Sequence, residues 1–238
     1  MTFDDPIGMF DSGVGGLCVL ERCMDKLPNE RFIYLADKAN MPYGERTAPE
    51  IRRAAMACAD RLFSLRCKAL VVACNTATET AIDDIRRAYP MRIVVGMEPA
   101  VKPCCRELGR GYAVALVTSA TERSAKFKRL MTAYGDRVVA APQTELAKRI
   151  EDNVGDIEKL RPYVYGMLEK YRDAESVILG CSHYTHITQL ISDFYGGAIK
   201  IYDGADGVAD RLLYCLSIAN LRAPDRMIGS AEFLETRK

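Results

Sequence analysis

Short apolar runs recur along the chain, each closed by small polar residues and followed by a longer segment with helical spacing. The runs cover residues 7–10, 31–35, 69–73, 93–96, 114–117, 138–141, 176–179 and 200–202. Helical segments are predicted over 17–26, 49–65, 78–88, 100–107, 122–133, 145–153, 157–170 and 207–219. Strands that alternate with helices predict parallel sheets joined by crossover helices, so the fold class is α/β. Gly, Ser, Thr, Asn or Asp follows the strand ends, as tight turns into helices require. In such sheets ligands bind at the carboxyl edge.

A weak internal repeat sharpens this picture. ALVVACNT (69–76) and SVILGCSH (176–183) share one order of parts: an apolar strand, a small residue, a cysteine and polar turn residues. IGMFDS (7–12) and VALVTS (114–119) likewise run a strand into hydroxyl-bearing residues. Cys74 and Cys181 are 107 positions apart, and so are Asp11 and Thr118. Two half-chains built alike predict two similar α/β lobes with mainly parallel sheets and flanking helices. The candidate site is the cleft between their strand ends, with Cys74 from one lobe and Cys181 from the other.

Composition narrows the function classes. Of 238 residues, 49% are hydrophobic, enough for a buried core and too many for a disordered chain. A net charge of +1 gives no broad footprint for nucleic acid and no polybasic membrane anchor. No apolar run approaches the roughly 20 residues that span a bilayer, and the opening residues, with adjacent Asp4 and Asp5 before Pro6, lack a signal-peptide core. A cytoplasmic protein without nucleic-acid or membrane partners is expected. The nine cysteines, an odd and scattered set, read as free thiols.

Particular residues then stand out. The glycine-rich turn Asp11 to Gly16 joins a strand to a helix, where backbone N–H groups can receive an anion. It matches neither the dinucleotide nor the P-loop spacing, and Asp11 disfavours phosphate in favour of a smaller ligand that also carries a positive group. Cys74 and Cys181 are predicted at helix N-termini, a position that lowers a thiol pKa. Paired across a cleft, they suit acid and base acting on opposite faces of one carbon. His183, two residues from Cys181, is placed to tune that thiol, whereas His186 reads as a packing or surface residue. With only these two histidines and no second cluster, no metal site is expected. Pro42, Tyr43 and Gly44 form a loop able to close over a small ligand, or a plain turn. Thr118 and Thr121 offer hydroxyls for a carboxylate or for helix capping.

Taken together, the motifs IGMFDSGVGGL (7–17), ADKANMPYGERT (36–47), LVVACNTATETA (70–81), GMEPAVKP (96–103), LVTSATERSAKF (116–127) and LGCSHYTHI (179–187) resemble, in order and spacing, the cofactor-independent aspartate/glutamate racemases, the glutamate racemases above all. The resemblance runs from Ile7 to about Asp210. It implies a first lobe over 1–97 completed by 205–238, a second lobe over 98–204, and glutamate held between two cysteines. It implies Cys74 and Cys181 as the acid/base thiols, with Asp11 beside the first and His183 beside the second. Ser12, Pro42, Tyr43, Gly44, Asn75, Thr76, Thr118, Thr121 and Ser182 would bind substrate. It further implies no cofactor, a homodimer, and D-glutamate supply for peptidoglycan. Pyridoxal phosphate is also disfavoured by the residues themselves, since no lysine stands out in a strand-end turn as a Schiff-base candidate and two thiols already supply both protonation roles.

The chain departs from the family pattern at Ser182, where Thr is usual, at Thr185 and His186, at Lys38, and over 138–151, which leaves Glu151 outside the expected site. Selectivity for aspartate or another small acid, and a non-catalytic glutamate-binding role, are the competing readings.

Overall fold

The computed structural model describes residues 1–237 and contains two parallel sheets with helices packed on both faces. The first holds β1 (Ile7–Asp11), β2 (Arg31–Ala36), β3 (Ala69–Val72), β4 (Ile93–Gly96) and, near the C-terminus, β9 (Ser230–Glu235), in the order β4-β3-β1-β2-β9. The second holds β5 (Ala113–Thr118), β6 (Val138–Gln143), β7 (Ser176–Gly180) and β8 (Lys200–Tyr202), in the order β6-β5-β7-β8. Every pairing is parallel. The α/β expectation with two similar lobes is met.

The central strands are apolar throughout because both faces are covered. β1, β3, β5 and β7 are buried at every position, the pattern of a parallel strand between two helix layers. The helices bury one stripe each. In α2 (Ala48–Ser64) the buried residues Ile51, Ala54, Ala55, Cys58, Ala59 and Leu62 recur at three- and four-residue spacing. Glu50 caps that helix by accepting from the Thr47 N–H at 2.9 Å. α1 (Leu17–Lys26) and α10 (Ala205–Ile218) share the core on the other face of the first sheet.

Several predicted boundaries move. The helix predicted over 122–133 is two helices, α5 (Ser119–Arg123) and α6 (Ala125–Tyr134). Ser124 between them is extended, and its hydroxyl accepts from Phe127 N–H at 2.9 Å, so it starts a new helix instead of continuing the old one. The segment predicted as one helix over 157–170 is α8 (Arg161–Leu168) flanked by 3₁₀ turns. β9 was absent from the sequence reading. It is an edge strand with mostly exposed residues, Phe233 included, so it lacks the apolar run that marks a buried strand.

The chain passes between the lobes twice, after β4 into α4 (Val101–Glu107) and after β8 into α10. The two passages touch. A Cβ on Gly204 would lie 2.7 Å from the Glu98 carbonyl oxygen, so only glycine allows this approach.

Candidate active site

The carboxyl ends of the central strands meet between the lobes. Asp11 and Ser12 close β1, Cys74 follows β3, Thr118 ends β5 and Cys181 follows β7. Contacts across the divide are direct. The Ser182 hydroxyl donates to Asp11 Oδ1 at 3.0 Å, and Thr76 Oγ1 lies 2.9 Å from Thr118 Oγ1. Gly15 sits so close to the second lobe that a Cβ there would stand 2.5 Å from His183 N.

The glycine-rich turn is organised differently from the expected anion receiver. Asp11 Oδ2 accepts from Gly13 N–H at 3.1 Å and Gly16 N–H at 3.2 Å, and Glu151 Oε2 accepts from Val14 N–H at 3.3 Å. The chain's own carboxylates therefore occupy these donors. Tyr34 fixes the turn from behind by donating its hydroxyl to the Gly13 carbonyl at 2.9 Å.

Cys74 is 3% exposed and caps α3 (Asn75–Ala88), accepting from Ala77 N–H at 3.5 Å, with Ser12 Oγ at 3.9 Å. The Ala77 N–H at the helix start works to lower its pKa but is outweighed. Burial first, then the charge of Asp11, pushes the thiol well above the ordinary cysteine value, and Cys181 is near enough to push the same way. Cys181 is 5% exposed and precedes a 3₁₀ turn (Ser182–Ile187), with α9 (Thr188–Phe194) beginning only beyond it. The expectation that both thiols sit at α-helix N-termini thus holds for Cys74 alone, because the residues after Cys181 wind into the tighter helix.

His183 is buried, and its Nε2 lies 2.8 Å from Glu151 Oε2. Burial opposes charge on this imidazole, but hydrogen bonding to Cys181 and Glu151 and the charge of Asp11 outweigh it, so its pKa stands well above the usual histidine value. Glu151 shows the counterpart: burial works to raise it, yet His183 and the Val14 N–H hold it below the ordinary carboxylate value. Glu151 is therefore part of this constellation, which corrects the sequence reading. On α7 (Leu146–Asp152), Leu146 and Ile150 face the core of the second lobe, while Glu151, about 100° further round the helix, reaches Val14 and His183.

Thr76, Thr118 and Thr121 form a buried hydroxyl cluster with oxygens 2.9 to 3.3 Å apart. Thr118 also caps α5 by accepting from Thr121 N–H at 3.1 Å, so the hydroxyl cluster and capping coexist. Asn75 donates from Nδ2 to the Met97 carbonyl at 3.1 Å, while its buried Oδ1 has no partner. Tyr43 is buried and donates to Asp37 Oδ2, and Gly44 packs against Thr118. Pro42 is half-buried and leads into that turn. His186 is half-buried, with its Nε2 unpaired. Asp37 was also missed, although it closes β2 as Asp11 closes β1, a signal the sequence carried. Lys38, one of the departures, pairs with Glu235 on β9 at 3.0 Å.

Two parallel α/β lobes thus bring one cysteine each to the junction of their strand ends, Cys74 after β3 and Cys181 after β7. The chain belongs to the Asp/Glu/hydantoin racemase family, whose model matches residues 18–212. It is 36% identical over 235 residues to a glutamate racemase of Clostridium perfringens, covering 97% of this chain and 90% of the relative. With a glutamate racemase of Clostridium acetobutylicum the identity is 38% over 213 residues, covering 88% and 83%. The crystal structure of glutamate racemase from Thermus thermophilus in complex with β-chloro-D-alanine superposes with a TM-score of 0.81 at 31% identity, covering 100% of this chain and 90% of that one.

Proposed function

We propose that the chain is a glutamate racemase that interconverts L- and D-glutamate without a cofactor, using Cys74 and Cys181 as its acid and base. The observation that carries this reading is the arrival of one buried thiol from each lobe at the junction of the strand ends, near enough for each to feel the other's charge and each with its own polar support. Asp11 and Ser12 attend Cys74, and the His183–Glu151 pair attends Cys181.

The two thiols have different surroundings. Buried beside Asp11, Cys74 favours the neutral thiol, a proton donor. Beside Cys181, hydrogen bonding to that sulfur and to Glu151 helps to hold the proton on His183. In the L-to-D direction the Cys181 thiolate takes the α-proton, the electron pair left on carbon delocalises into the α-carboxylate, and the Cys74 thiol returns a proton to the opposite face. One proton leaves and one arrives, and the reverse direction exchanges the roles. The threonine hydroxyls and helix-start N–H groups stabilise the growing negative charge. The unpaired Asn75 Oδ1 is an acceptor suited to the substrate ammonium. Ser12, Pro42, Tyr43, Gly44 and Ser182 complete the binding surface.

The same reading assigns the enzyme to the cytoplasm, where thiols stay reduced, with D-glutamate supply for peptidoglycan as its role and a homodimer as its state. Among the described residues no helix is long and apolar enough to cross a membrane. The lobes are read as 1–97 with 205–238, and 98–204.

Exchange of the α-proton in deuterated water, followed for each enantiomer of glutamate and aspartate, tests the proposal. Wild type should exchange and racemise glutamate with a clear preference over aspartate. Cys74→Ser and Cys181→Ser should each lose racemisation by at least about 10³-fold. Full activity in either variant would overturn the two-thiol mechanism, and preference for aspartate would overturn the substrate.

A further inference from the structure

A hollow of about 620 Å³ opens between the lobes, walled by α2 and α3 on one side and α5 and α6 on the other. Thr76, Thr118 and Thr121 do not line it, which sets it apart from the site described above. Glu79 on α3 reaches into its wall. That residue is 7% exposed, its Oε2 accepts from the Ser124 hydroxyl across the lobes at 3.2 Å, and its Oε1 is buried with no partner. A buried carboxyl oxygen without a partner in the wall of a cavity marks a place where a ligand completes the hydrogen bonding.

The rest of the wall is rich in cations. Arg52 and Arg87 share Asp84 at 3.1 and 3.0 Å, and Lys126 pairs with Glu98 at 3.0 Å. Among the described residues, Arg123 and Arg129 have no carboxylate within 4.0 Å. Glu45 and Asp83 also line the hollow, the latter 3.8 Å from Arg86. Guanidinium forks bind the paired oxygens of phosphates and carboxylates. Two such groups left free on one wall, with two more held by a single aspartate opposite, leave positive charge uncompensated.

We propose that this interlobe hollow binds a small, multiply charged oxyanion, a polyphosphate or a polycarboxylate, gripped by Arg123 and Arg129 from one lobe and Arg52 and Arg87 from the other, with the Glu79 carboxyl donating a hydrogen bond from Oε1. Burial, then the charge of Glu98, raises Glu79 to about 7, while Lys126, Ser124 and Arg129 oppose the rise. Asp83, one turn on along α3, adds a like charge to the same wall. Protonated Glu79 offers the anion a donor, and ionised Glu79 repels it. Binding therefore takes up a proton and weakens as pH rises through about 7.

Titration calorimetry at fixed ionic strength, with pyrophosphate in one arm and citrate in the other, tests the site. At least one anion should bind with one-to-one stoichiometry, and the tighter arm identifies the source. Arg123→Ala/Arg129→Ala should weaken it by about tenfold or more. Glu79→Gln keeps a donor but cannot titrate. Proton uptake, read in two buffers of different ionisation heat, should therefore be larger in wild type than in this variant, a comparison that cancels the titration of the anion itself. Neither anion binding at millimolar concentration, unchanged affinity in the double variant, equal proton uptake, or competitive displacement by D-glutamate would each overturn the proposal. None of these readouts depends on racemase activity.

Discussion

The Ser182 hydroxyl donates to Asp11 Oδ1 at 3.0 Å, joining the strand ends of two lobes across 171 residues of chain. Asp11 spends its other oxygen on the backbone of the glycine-rich turn. One carboxylate thus sets the turn beside Cys74 and the loop beside Cys181. Ser182→Ala removes a charge-assisted bond worth about 1.5–3 kcal/mol, and kcat/KM for glutamate should fall by about tenfold or more. Ser182→Thr keeps the hydroxyl and should stay close to wild type. Steady-state assay in both directions checks this.

Glu151→Gln should uncouple His183 from its counter-charge. His183 has a raised pKa, so its contribution to stability is complete below pH 6.5 and is lost as pH rises through the raised value. Glu151 has a lowered pKa, so its contribution is complete above pH 4.5 and is lost as pH falls through the lowered value. The stability gap between wild type and variant should be widest between these limits, on the order of 3 kcal/mol for a pair this buried, and should shrink at alkaline pH. Urea denaturation at several pH values measures it.

Gly15→Ala would place a methyl group against backbone, 2.5 Å from His183 N. Backbone cannot swing aside as a side-chain tip can, so the lobes must part locally. Racemisation should fall by about a hundredfold or more, following the steep cost of displacing reacting groups, while the circular dichroism spectrum stays that of the wild type.

Lys68 and Glu30 form a fully buried ion pair at 2.6 Å. Lys68 also donates to the Phe3 carbonyl at 2.6 Å, and Glu30 accepts from Ala223 N–H at 2.8 Å, so the pair ties both ends of the chain to the first lobe. Lys68→Met strands the Glu30 charge and should cost about 3–5 kcal/mol in denaturant unfolding, with little change in KM for the folded fraction.

The central strands β1, β3, β5 and β7 were legible because burial on both faces writes an unbroken apolar run, while the partly exposed edge strands β6 and β8 were legible only from their short stretches of Val, Ile and Tyr. β9 was not, because an edge strand needs only its hydrogen bonds to β2 and tolerates Glu232 and an exposed Phe233. The thiols, Asp11 and His183 were visible as polar residues at strand ends. Glu151 was hidden in a charged helix, since only the approach of the other lobe distinguishes it from its neighbours. The thiol environment was misjudged for Cys74 because a sequence shows the helix start but not the burial that outweighs it.

The paired passages between the lobes carry a mechanical consequence. A lobe hung on one connection could swing and twist about it in any direction. Here two connections run side by side, with Gly204 against the Glu98 carbonyl, and together they leave one easy axis of rotation, along the line they share. Any rotation of one lobe against the other would then follow that single line, and Cys74 and Cys181, fixed one to each lobe, would part and return along one path.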